Sequence, residues 1–155
     1  MNERTVNLLE FSLTNLRCGL REEHVVEVLP AASVTPLPGT PAIVMGLLNV
    51  RGTLVPVLDI RSRLSLPRKE IETSDHFVLT RPRGKLVALH VDRAEALQTV
   101  AIAAIEDATR LTQEPGVIGG IARLQDGLLL IHDPERFLSE AEALATERAM
   151  AGPQG

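Results

Sequence analysis

Apolar positions in this chain come in short runs broken by Gly, Pro or paired charges, and only the last stretch has a longer periodicity. Val6 to Leu13 alternates in part, through Leu9, Phe11 and Leu13, which predicts a strand, with Leu16 to Leu20 as its hairpin partner. The segment His24-Val25-Val26-Glu27-Val28-Leu29, ended by Pro30, is too short for periodicity to separate a strand from a helical turn running into one. Pro36, Pro38 and Pro41, with Gly39 among them, exclude both a helix and a central strand. A strand, a turn at Arg51-Gly52 and a second strand over Thr53–Leu58 follow. Asp59 then caps a short helix over residues 60–64. Residues 67–75 are polar and form the best candidate for a mobile loop. Further strands are predicted at 76–81 and 85–91, around a turn at Arg81–Gly84, and near 94–102 and 117–124. Asp133-Pro134 reads as an N-cap with Pro at the first helical position. It predicts a final helix to about Arg148 with Phe137, Leu138, Ala141 and Leu144 on one face, then a frayed tail over 149–155.

Within this pattern one stretch occurs twice. Gly46-Leu47-Leu48-Asn49-Val50-Arg51-Gly52-Thr53-Leu54-Val55-Pro56-Val57-Leu58-Asp59 is echoed by Gly120-Ile121-Ala122-Arg123-Leu124-Gln125-Asp126-Gly127-Leu128-Leu129-Leu130-Ile131-His132-Asp133. Each copy runs from a Gly through an apolar strand to a polar turn, then through a second apolar strand to an Asp. A repeated hairpin implies two similar halves with a groove between them, a geometry suited to joining other proteins. Many short strands with helices only at the ends of the halves predict small barrels.

Composition narrows the function. The core must be aliphatic, because the 155 residues include three Phe, no Trp and no Tyr. A net charge of −4 without basic runs argues against a nucleic-acid partner. Nothing approaches the ~20 apolar residues of a membrane span, so no direct membrane insertion is expected. Cys18 is the only cysteine, which excludes an intramolecular disulfide and points to the cytoplasm. It reads as a small core hydrophobe.

Candidate chemistry is thin. Asp59 and Asp133 invite an acid–base pair, yet each immediately precedes a helix-like segment, so N-capping accounts for both. His24, His76, His90 and His132 lack metal-ligand spacing, and His90 and His132 are expected on or at the ends of strands, partly buried. Gly116–Gly120 lacks the Lys-Ser/Thr of a phosphate loop. No catalysis, cofactor or metal is expected. Gly52 supplies the positive φ of a tight hairpin, and Gly46 marks a close approach of another backbone, a partner's among the candidates. Segments at Val34–Leu37 and 94–102 read as barrel edges able to present apolar residues.

Taken together, Val25-Val26-Glu27-Val28-Leu29, Leu37-Pro38-Gly39-Thr40-Pro41, the first repeat copy with Ile60-Arg61, Leu89-His90-Val91-Asp92-Arg93 and the Gly120 repeat resemble the CheW-like domain, the coupling module of bacterial chemosensory systems. The resemblance runs from about Val6 to Leu138. It implies a mainly β fold of two intertwined five-stranded SH3-like barrels with short helices and a C-terminal helix. That fold is a single domain over 1–148, with one subdomain over roughly 14–76. The other spans roughly 77–132 and takes in the N-terminal strand and the C-terminal helix. The resemblance further implies a non-enzymatic adaptor that bridges a chemoreceptor cytoplasmic tip to the regulatory domain of a CheA-type histidine kinase, with self-association in arrays as a further contact. The partner-binding surface it implies comprises Val25, Glu27, Gly46, Asn49, Arg51 and Gly52, with Glu27 and Arg51 paired. The alternative is a barrel module that regulates a different kinase or a motility assembly.

Overall fold

The structure, a computed structural model, describes residues 4–108 and 116–152. Eleven strands and one α-helix are present among them: β1 (Thr5–Leu13), β2 (Leu16–Arg21), β3 (Glu27–Pro30), β4 (Val44–Val50), β5 (Thr53–Leu58), β6 (His76–Thr80), β7 (Val87–Val91), β8 (Arg93–Ala101), β9 (Ile105–Asp107), β10 (Ile118–Leu124), β11 (Gly127–His132) and α1 (Glu140–Ala151). They form a six-stranded sheet in the order β8-β1-β2-β11-β10-β9 and a five-stranded sheet in the order β3-β6-β7-β5-β4. The fold is mainly β, as expected, with one strand more than the five expected in one of its two units. The sheets do not part the chain near residue 76: β2 belongs to the six-stranded sheet, while β6 and β7 belong to the five-stranded one. The chain leaves the first sheet after β2, builds the whole of the second, and returns at β8.

Pseudo-symmetry relates the two sheets. Strands β4 and β10, and β5 and β11, have bounds offset by 74 residues (118 − 44 and 127 − 53). Each first strand carries a register irregularity just before its glycine, at Val44/Gly46 and Ile118/Gly120. Each second strand then pairs in parallel with the other half of its sheet, β5 with β7 and β11 with β2. Leu47 bridges Thr35 just as its counterpart Ile121 pairs with Glu106 of β9. The extra strand of the larger sheet is therefore an extended version of a single bridge in the smaller one.

Three apolar clusters hold these layers. Leu48, Val50, Val55, Val57, Phe77, Leu79 and Ala88 fill the smaller sheet's interior, and Leu8, Val100, Ala122, Leu129 and Ile131 that of the larger. Leu9, Phe11, Leu13, Cys18, Leu20, Ile43, Leu58, Val78 and Leu89 join both sheets in a shared core. Alternate residues of β1 and β6 serve different clusters (Leu8 against Leu9, Phe77 against Val78), which is why these strands read as near-continuous apolar runs. Burial pushes the Cys18 thiol up to about 12, so it stays protonated and packs as a hydrophobe.

Two local expectations change. The final helix begins at Glu140, because Ser139 accepts from the Glu142 amide while the Glu142 side chain accepts from the Ser139 amide. Asp133 and Pro134 start only a 3₁₀ turn over Pro134–Arg136. The later start rotates the buried face: Leu144 is 46% exposed and Thr146 is buried. The helix also runs through Ala151 into the region expected to fray, and residues 153–155 lie outside the described residues.

The 67–75 segment is pinned at several points. Lys69 donates to Asp75 at 2.8 Å and to Asp92 at 2.9 Å, and Arg68 donates to the Ala42 carbonyl at 3.0 Å. Asp75, fully buried, accepts from the Glu72 amide at 2.9 Å and lies 2.7 Å from His90 Nε2. Arg61, 0% exposed, donates to Asp92 and lies 3.3 Å from His90 Nδ1. An arginine has no acceptor to offer, so His90 accepts through Nδ1 and donates Nε2–H to Asp75. Asp92 also accepts from the Thr14 amide at 2.6 Å, tying the β1–β2 turn of one sheet to the end of β7 in the other. Burial works to raise Asp75 and Asp92, but Lys69, with the Glu72 and Thr14 amides, outweighs it and holds both carboxyls low.

Acid sensitivity follows. Burial pushes His132 down to about 4, against ~6.5 in an unfolded chain. Between those values the unfolded chain binds the extra proton. The contribution is therefore complete above about pH 6.5 and lost as the pH falls toward 4, at a cost of about 3 kcal/mol. His90, lowered chiefly by burial, acts in the same window, and the two depressed carboxyls extend the loss below about pH 4. Urea midpoints should fall steeply between pH 7 and pH 4.5; a flat profile would contradict this.

Candidate interaction surface

Edge strand β3 and the β4–β5 hairpin lie at opposite ends of the five-stranded order. Arg51 Nη2 nevertheless donates to Glu27 Oε2 at 2.8 Å. That pair spans the seam where the sheet curls back on itself. Its groups are open to solvent, with side-chain exposures of 71% for Arg51 and 34% for Glu27. An exposed pair of this kind contributes little to stability. The backbone beneath it is unusual: Arg51 has φ 50° and Gly52 φ 90°, both in the left-handed region. Asn or Gly ordinarily fills the first of these positions, so a long cation there is retained against its own backbone preference.

The surrounding residues divide into supports and presented groups. Asn49 accepts from the Gly52 amide at 2.8 Å and so ties the turn together. Asn49→Ala should cost about 1 kcal/mol, read as a lower urea midpoint. Gly46, at φ +153°, leaves room for the protein's own Thr35: a Cβ there would stand 2.4 Å from the Thr35 carbonyl oxygen. The close approach at Gly46 is internal and does not need a partner. Val25 is half-buried against the shared core, whereas Val26 and Val28 on either side of Glu27 are 49% and 37% exposed. Sequence reasoning passed over these two valines, although alternation along β3 marks them once its strand state is known. Glu27 and Arg51 thus form a charged patch beside the seam, while strand alternation puts the exposed Val26 and Val28 on the other face of the edge from Glu27.

Elsewhere, side chains that suggested chemistry are engaged in the fold. Asp59 accepts from the Arg61 amide at 3.2 Å and Asp133 from the Glu135 amide at 3.0 Å, each capping a 3₁₀ turn. His90 and His132 lie on β7 and β11 and are fully buried, not partly: Phe77, Arg61 and Asp75 enclose the first, and Phe11 and Phe137 lie against the second. The described residues contain no helix long and apolar enough to cross a membrane.

The sequence profile of the CheW-like domain matches residues 7–142. The chain belongs to the CheW-like domain family. Similar proteins agree with the match. The chemotaxis protein CheW of Bacillus subtilis is 29% identical over 127 residues, which cover 77% of this chain and 81% of that protein. A probable chemotaxis protein CheW of Rhizobium etli is 23% identical over 94% of this chain and 95% of its own length. Protein FrzA of Myxococcus xanthus is 47% identical over a shorter stretch, 36% of this chain and 34% of FrzA. The crystal structure of the scaffolding protein TtCheW from Thermoanaerobacter tengcongensis superposes with a TM-score of 0.81 at 24% identity, covering 90% of this chain and 96% of that one. This CheW-like domain thus has the two SH3-like units expected of its family.

Proposed function

We propose that this CheW-like domain is a non-catalytic cytoplasmic adaptor that couples a chemoreceptor's cytoplasmic tip to the regulatory domain of a CheA-type histidine kinase. The observation that carries the reading is the solvent-open Glu27–Arg51 pair, with Arg51 held on a left-handed turn. Under this reading Val25, Gly46, Asn49 and Gly52 shape the patch, and Glu27 and Arg51 meet the receptor. Arginine suits the role because its planar fork bonds a partner while keeping its charge. The kinase domain then docks elsewhere, and the adaptor transmits receptor shifts as a coupling free energy between two contacts.

Titration calorimetry of the chain against the regulatory domain of a CheA-type kinase from the same genome tests the first contact. Micromolar binding is expected, and Arg51→Glu should leave it within a factor of two to three while weakening receptor co-sedimentation at least tenfold. The melting temperature of that variant should barely move, since the pair is exposed. Failure to bind any such kinase would remove the coupling role and favour a module for a different kinase or a motility assembly. Unfolding of the variant would make Arg51 a structural residue instead.

A further inference from the structure

His132 stands where the first hairpin copy has Leu58; each is the last residue of its second strand and each is buried. Leu58 simply joins the shared core. The His132 ring instead lies against Phe11 and Phe137, at centroid distances of 5.4 and 5.9 Å, and neither ring nitrogen has a hydrogen-bond partner. A position that needed only volume would be better served by leucine, since an unpartnered buried imidazole is destabilising.

The ring also lines a cavity of about 240 Å³ bounded by Arg21 at the end of β2, His24 in the following turn, Gly119 and Gly120 of β10, and Asp133. The polar groups here are biased toward donors. Asp133 is already engaged, with Oδ1 accepting from the Glu135 amide at 3.0 Å and Oδ2 3.2 Å from Arg136 Nε. Arg21 makes no side-chain hydrogen bond or ion pair among the described residues, and His24 Nδ1 is buried without a partner. The His132 ring is neutral near pH 7 and so has one N–H to give.

We propose that this cavity receives one carboxylate group, presented by an acidic side chain of a partner protein and held by the Arg21 guanidinium and the His132 N–H. A carboxylate matches those donors, and guanidinium binds it with charge-assisted geometry. The cavity is smaller than the ~300–1,000 Å³ typical of whole-ligand sites, which favours a single side chain over a free metabolite. Its lining, from β2, β10, β11 and the turn at His24, shares no residue with the Glu27–Arg51 pair, and the proposal does not depend on the function proposed for that pair.

The test follows the ¹⁵N-histidine ring signals of the full chain during titration with sodium acetate, with acetamide and sodium chloride as controls. Saturable, acetate-specific shifts of His132 in the millimolar range are expected. Arg21→Gln should weaken them at least tenfold. His132→Leu, which copies the twin position, should melt several degrees higher. No acetate-specific shift in the folded wild-type protein would overturn the proposal, as would a lower melting temperature for His132→Leu, which would make the imidazole structural. Micromolar binding of succinate would replace the partner side chain with a free dicarboxylate and overturn that part.

Discussion

Arg61→Ala is expected to remove about 3–5 kcal/mol of folding stability, the largest single loss in this domain. Its guanidinium is wholly buried, touches Asp92 and His90, and carries one Nε with no partner among the described residues. Truncation leaves Asp92 with Lys69 and the Thr14 amide as its partners and empties a volume that no neighbouring side chain fills without moving. The readout is the urea midpoint at pH 7, with Arg61→Met beside it. Methionine keeps much of the volume but not the charge, so it separates cavity from charge. Should both variants lie within about 1 kcal/mol of wild type, the burial cost of the cation would have cancelled its hydrogen bonds. The loss should also appear locally. The Thr14 amide, which donates to Asp92 across the two sheets, should exchange faster in the variant than amides inside either barrel.

That network was invisible in the sequence, and the reason is physical. Arg61 and Asp75 lie far along the chain from His90 and Asp92; only where the turn after β5 and the 67–75 segment pass the end of β7 do the four meet. The same segment reads as a mobile loop because its polarity resembles that of solvated residues, whereas its charges are spent on each other. The repeated hairpin was legible because glycine, turn and terminal Asp recur at fixed spacing, and strands β4, β5, β10 and β11 fall where that pattern put them. Sheet membership was not legible, since no local signal says that the chain will leave one sheet after β2 and return at β8. The start of α1 is legible in Ser139 and Glu142, which form a capping box, although the earlier Asp133-Pro134 signal competes with it. Of the candidate surface, the Glu27–Arg51 pair came through a family likeness, and its backbone strain came only from the structure.

Gly46→Ala is expected to cost about 2–3 kcal/mol, and its pseudo-symmetric twin Gly120→Ala distinctly less. The two glycines head the two hairpin copies, so they test how much of the fold's symmetry is carried by backbone conformation. At Gly46 the backbone has φ +153°, and an added Cβ would meet the Thr35 carbonyl oxygen at 2.4 Å and its carbon at 2.7 Å. Neither contact can relax by turning a side chain. The Thr35–Leu47 hydrogen bonds, at 2.9 and 2.7 Å, must lengthen or the hairpin must shift. At Gly120 the corresponding Cβ would stand 3.1 Å from the Glu106 carbonyl oxygen, and its φ lies outside the left-handed range. Strand β9 can give by a few tenths of an ångström there. Paired urea melts decide the ranking, and equal losses would refute it. The comparison also governs how coupling defects at Gly46 are read. If Gly46→Ala loses receptor coupling in proportion to its folded fraction, the glycine supports the patch from beneath. If coupling falls while the folded fraction holds, Gly46 is itself part of the contact, and the internal approach of Thr35 is not its main role.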